Sequence, residues 1–144
     1  MGFSAKTTYA LLALMELADA QPSGERLQVG EIAARQSIPE RYLEQMMTAL
    51  RRGGFLRSSR GPRGGYQLAR SPEAITLAEV ITCLEGGPDK LTAEPQSPEQ
   101  TVIAGISLQL RQRRMAALED TSLAALLQER DALLQAQSQT MYFI

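Results

Sequence analysis

The run SIPERYLEQMMTALRRGGFLRSSRGPRGGYQLAR, residues 37–70, constrains the fold more than any other part of the chain. It combines a helical period, a pair of glycines, and two short alternating stretches on either side of a tip rich in Gly and Pro. Few architectures accept that order. From Pro39 to Arg52, Leu43, Met46, Met47 and Leu50 fall on one helical face, while Arg41, Gln45, Thr48 and Arg52 fall on the opposite one. Ser37 with Glu40 three residues later reads as a capping box, and Pro39 suits a first helical turn. Gly53 and Gly54 stop the helix; FLRSS and YQLAR, separated by RGPRGG, read as a β-hairpin.

The flanking segments complete the pattern. Ser4 opens a largely apolar helix over residues 5–20, ended by QPSGE, and VGEIAARQ is a short second helix. Thr76 with Glu79 is another capping box, starting a fourth helix that runs to Glu85. Three helices followed by a hairpin, with a very short turn between the second and third, is the order of a winged helix-turn-helix. The expected class is therefore mainly α with a small β-hairpin wing. By composition, residues 1–85 form this unit, 86–100 a linker, 101–134 two further helices for dimerisation, and 135–144 a tail. Ile103, Ile106, Leu110 and Ala117 line one stripe of the fifth helix, with Leu108 and Met115 on another side, so that helix expects more than one neighbour.

Charge is segregated along the chain. Residues 35–70 hold eight arginines against Glu40 and Glu44, whereas the remainder carries seven basic and fourteen acidic residues. A basic segment that coincides with a helix and a wing points to a nucleic acid. The stripe of Arg41, Gln45, Thr48 and Arg52 has the chemistry of a base reader, and Arg60 and Arg63 sit at a wing tip whose glycines allow close approach to DNA. Ser4, Lys6, Thr7 and Thr8 offer hydroxyls, an ammonium and helix N-terminal amides suited to a phosphate. A solvated arginine face, an ordinary hairpin turn and a simple helix cap are the plain alternatives for these three sets.

Several classes are disfavoured. With one cysteine, Cys83, and no histidine, an intrachain disulfide, a zinc finger and the usual nucleophile and base pairs are absent, so an enzyme is not expected. No apolar run reaches the length of about 18 residues read as a membrane helix, and the N-terminus lacks the basic start of a signal peptide, so a cytoplasmic location is expected. A winged helix serving only as a protein-protein module is the second reading.

The segments SAKTTYALLAL and IPERYLEQMMTALRRGGFLRSSRGPRGGYQLARSPEAITLAEVI resemble the IscR/NsrR/CymR family of bacterial regulators over residues 3–85. That resemblance implies a homodimer on double-stranded DNA, with the third helix in the major groove and the wing in the minor groove. It gives contact roles to Tyr42, Glu44, Gln45, Arg60, Arg63, Gly64, Gly65 and Tyr66. Family members that sense iron-sulfur clusters or nitric oxide carry three cysteines after the fourth helix, where this chain has GGPDKLTAEPQSPEQ; no cofactor is expected here. Cys83 lies among Val80, Ile81 and Leu84 and reads as a small buried thiol; redox sensing, or a cluster held by non-standard ligands, is the alternative. The cysteine-poor branch resembles a repressor of cysteine metabolism that acts with cysteine synthase. The ending Tyr142, Phe143 and Ile144 would supply a comparable carboxylate-terminated tail, with packing onto the dimer as the alternative.

Overall fold

The computed structural model describes residues 2–86 and 94–142, with side chains through Met141. Among the described residues, six α-helices and one hairpin follow in the order α1 (Ala5–Ala20), α2 (Val29–Gln36), α3 (Glu40–Arg52), β1 (Leu56–Ser59), β2 (Gly65–Leu68), α4 (Leu77–Glu85), α5 (Pro98–Glu119) and α6 (Leu123–Tyr142). The architecture is mainly helical with a two-stranded antiparallel wing.

Helix α1 is the centre of the body. Ser4 caps it by accepting a hydrogen bond from the Thr7 amide, and Ala10, Ala13, Leu14 and Leu17 are essentially inaccessible to solvent. Small alanines let neighbours approach closely, and α2, α3, α4 and α6 all pack on it. Leu43, Met46, Met47 and Leu50 turn inward from α3, as its period requires. Thr76 caps α4 by accepting from the Glu79 amide, as the sequence expects.

The capping box expected at Ser37 and Glu40 does not form. Ser37 adopts a left-handed conformation with φ of 54° and closes α2, while Pro39 occupies the N-cap of α3 without a side-chain cap bond. A serine needed for the tight turn between the two helices is not free to cap the second. The Glu40 carboxylate lies over Gly30 in the first turn of α2, where it meets the positive end of that helix.

The wing is pinned to the body by a third extended segment. Leu56 pairs with Leu68 and Ser59 with Gly65. Tyr66 and Leu27 then exchange both backbone hydrogen bonds, at 2.8 and 3.1 Å, and the Gln28 side-chain amide donates to the Gly64 carbonyl at 2.9 Å. The hairpin thus has a fixed orientation relative to α3.

The C-terminal part departs from expectation in three ways. Helix α5 starts at Pro98, with Ser97 as its N-cap, rather than near residue 101. Helix α6 does not end near residue 134 in a tail but continues through Tyr142, because AQSQTM contains good helix formers and no Gly or Pro to stop it. The turn between the two helices also belongs to the core. Leu118 and Ala124 are buried, Leu123 is fully so, and the Leu123 amide donates to the Ile75 carbonyl at 2.8 Å. Arg130 then ties α6 to α1 by a two-pronged contact with Asp19 at 2.6 and 2.9 Å. Beyond these anchors α5 and α6 stand clear of the body: Ile103, Leu110 and Met141 are 68, 63 and 77% exposed.

Candidate nucleic-acid interface

The helix-turn-helix and the wing share one face of the molecule. Arg41, Tyr42, Glu44, Gln45 and Arg52 are exposed along α3, opposite its buried leucines and methionines. Thr48 is half-buried, and its hydroxyl donates back to the Glu44 carbonyl at 3.0 Å, which leaves only its methyl outward. Tyr42 is held by the edge of Tyr9, with ring centroids 6.0 Å apart at 86°, so its orientation is set from α1. Between α3 and the wing lies a cleft of about 450 Å³, bordered by Gln28, Glu44, Arg51, Ser58, Arg60 and Gly64.

Arg60 and Arg63 are exposed at the wing tip. Among the described residues, Arg41, Arg52, Arg57, Arg60 and Arg63 form no ion pair, so their charge is available to an anion. The glycines beside them serve packing. A β-carbon on Gly64 would overlap the Ser59 carbonyl, and one on Gly65 would come within 2.7 Å of the Leu27 carbonyl oxygen. Tyr66 is half-buried by the same bridge. These three residues aim the arginines from below.

Two residues of this face were not singled out by sequence reasoning. Arg51 donates to the Ser58 hydroxyl at 3.4 Å and so links α3 to β1. Gln28 anchors the wing tip from the start of α2. Both act across elements, and no local pattern marks them.

The N-terminal set is engaged elsewhere. Lys6 donates to the Leu84 carbonyl at 2.9 Å, capping the C-terminus of α4, and the Ser4 and Thr7 hydroxyls both donate to the Glu85 carboxylate at 3.0 Å. A phosphate arriving at the start of α1 therefore meets Glu85 first. Thr8 alone of the set is exposed and outside this clamp.

A three-helix core with a pinned wing, and exposed arginines on α3 and at the wing tip, defines a DNA-binding winged helix-turn-helix regulator. The chain belongs to the Rrf2 family: a family model described as an iron-dependent transcriptional regulator matches residues 3–129. The HTH-type transcriptional regulator slr0846 of Synechocystis is 37% identical over all of this chain and 99% of its own length. Among solved structures, IscR of T. potens superposes with a TM-score of 0.76 at 31% identity, covering 90% of this chain and 88% of that one. CymR of B. subtilis, described as the global cysteine regulator of that organism, gives 0.75 at 30% identity, covering 88% of this chain and 95% of the other. These relatives are transcriptional regulators, and the chain is not an enzyme. Among the described residues, no helix is long and apolar enough to cross a membrane.

The family description raises the question of iron, and the described residues do not fit a cluster. No group of three or more His, Cys, Asp or Glu side chains converges among them. The one cysteine, Cys83, is half-buried with its thiol 3.5 Å from the Ala49 carbonyl on α3. Burial pushes this thiol above its ordinary value, with Lys6 opposing the rise. A thiol raised in the fold supports stability below the ordinary thiol range and loses that support as pH climbs through its raised value. Cys83 in the native protein is accordingly expected to alkylate more slowly than free cysteine at pH about 8, with the difference vanishing in denaturant. Equal rates in the folded protein would show a thiol more open than this packing allows.

Proposed function

We propose that the protein binds a pseudo-palindromic operator as a homodimer and represses transcription by occupying it. The observation that carries this reading is the single exposed surface shared by the α3 stripe and the wing arginines. In the major groove Arg41 suits guanine, Gln45 adenine, Glu44 the cytosine amino group, and the Thr48 methyl the thymine methyl. Arg52 suits a phosphate, and Arg60 and Arg63 suit the negative potential of a narrow minor groove. The exposed stripe of Ile103, Ile106, Leu110 and Ala117 on α5 supports self-association. A two-fold dimer of this kind reads half-sites about 34 Å apart.

The test is binding to DNA from upstream of the protein's own gene against random duplex, between about 50 and 200 mM salt. A preference of about a thousandfold with steep salt dependence supports a specific regulator. Arg63→Ala is expected to weaken binding to all sequences, whereas Gln45→Ala should lose about 1–3 kcal/mol of discrimination at one base position. Equal losses for Gln45→Ala on specific and random DNA would remove its base-reading role. Repression is checked by transcription from the bound promoter in vitro.

Control of cysteine metabolism through cysteine synthase is a finer reading, and it draws on the missing cluster cysteines. IscR and CymR structures match this chain equally well, so the relatives do not choose between branches. The backbone is helical through Tyr142, and an extended insertion of that residue into an enzyme pocket would require the last turn of α6 to unwind. Phe143 and Ile144 lie outside the described residues. Binding of cysteine synthase that is unchanged by deletion of residues 141–144 would end this reading.

A further inference from the structure

We propose that Gln28 is a positioning residue for DNA reading, whose side chain holds the wing tip, and through it Arg60 and Arg63, instead of capping α2; this rests on the reading of the wing arginines as DNA contacts given above. The wing is joined to the body along the segment that precedes α2. Toward the base of the wing the Gln67 side-chain amide donates to the Gly24 carbonyl at 2.8 Å, and further up Tyr66 and Leu27 exchange their backbone hydrogen bonds. Backbone pairing stops there, because Val29 begins α2 and the Gln28 carbonyl accepts from the Glu31 and Ile32 amides at 3.1 and 3.3 Å. The Gln28 side chain takes over where the backbone turns away, and its amide donates to the Gly64 carbonyl at 2.9 Å.

The contact at Gly64 governs the tip as a whole. The ladder of the hairpin ends at the pair of Ser59 and Gly65, and beyond it the Gly64 amide donates to the Gly61 carbonyl at 2.9 Å. That bond closes one tight turn, with Arg60 directly before it and Arg63 inside it, so holding Gly64 holds the backbone that carries both arginines. Arginines on a fixed backbone lose less freedom when they enter a narrow minor groove. Gln28 also occupies the N-cap of α2 in the extended conformation of a capping residue, yet its side chain makes no cap bond. Serine at this position has the short hydroxyl that caps a helix; glutamine has the length that reaches the wing. Helix stability and DNA reading therefore ask for different side chains at residue 28, and the chain carries the one that serves the wing.

Gln28→Ser and Gln28→Met in the full-length chain test this, with DNA from upstream of the protein's own gene as the probe. Both should lower affinity alike, by about 3- to 10-fold, the effect of one lost hydrogen bond. Gln28→Ser should nevertheless unfold at a higher temperature than Gln28→Met, because only serine caps α2. In a chain that also carries Arg60→Ala and Arg63→Ala, measured at low salt to keep binding in range, neither substitution should lower affinity further. Wild-type affinity in either variant, or affinity that rises with stability from Gln28→Met to Gln28→Ser, would overturn the positioning role. So would a loss that persists in full without the two arginines, since Gln28 would then touch DNA itself. Equal stability of the two variants would overturn the claim that Gln28 leaves α2 uncapped. Full affinity after removal of both arginines would instead overturn the wing reading on which the proposal stands.

Discussion

Gly65→Ala is expected to release the wing from the body, lowering stability by about 2–3 kcal/mol and affinity for operator DNA by about 10- to 100-fold. Two effects add at this residue. Its φ of 143° is a conformation that residues with a β-carbon rarely adopt, and the new methyl would stand 2.7 Å from the Leu27 carbonyl oxygen. That contact is with backbone, so no side chain can rotate away. The Tyr66 and Leu27 hydrogen bonds must lengthen, and Arg60 and Arg63 then lose their fixed position relative to α3. Thermal unfolding and salt-dependent DNA binding measure the two losses separately. Gly105→Ala is the internal control: an added β-carbon there meets nothing within 4 Å, inside a helix that alanine favours. If Gly65→Ala is as stable as Gly105→Ala, the close approach of the wing to Leu27 is not a determinant of the fold.

Leu123→Ala is expected to cost about 2–5 kcal/mol, the range for emptying a leucine site in a core. Leu123 is wholly buried, and its amide is bonded to Ile75 just ahead of α4. The loss should reach the DNA-reading unit, because the α5–α6 turn closes the same core that supports α1 and α4. A fragment ending at Gly86 should therefore be less stable than the full chain, even though it contains every DNA-contact candidate. Chemical denaturation of the point variant, with one transition shifted to lower denaturant, checks this. Two separate transitions would mean that the C-terminal helices fold independently of the reading unit.

The α3 stripe was legible because a helix repeats every 3.6 residues, so Leu43, Met46, Met47 and Leu50 must share a side whatever they pack against. The Thr76 cap was legible for a similar reason, since its partner is three residues away. Ser37 misled because serine suits both a left-handed turn and a helix cap, and the separation of α2 from α3 decides which is formed. The N-terminal hydroxyls and Lys6 were read toward a phosphate, but their partners, Leu84 and Glu85, lie about eighty residues away. Gly64 and Gly65 suggest an approach to DNA in the sequence, whereas in the fold the Ser59 carbonyl stands close to Gly64 and Leu27 stands close to Gly65.

The sequence by itself determined the class of the molecule: the helical faces, the order of three helices and a hairpin, and the concentration of arginine on residues 35–70. These properties follow from local periodicity and from charge along the chain, and neither depends on distant neighbours. Only the tertiary structure decided which residues aim the wing, which hydroxyls are already engaged, and that Leu118 and Leu123 complete the reading unit's core. It also separated the inner side of α5 from the outer one. An apolar residue carries its preference for burial in its side chain, but the identity of what covers it is a property of the packed chain.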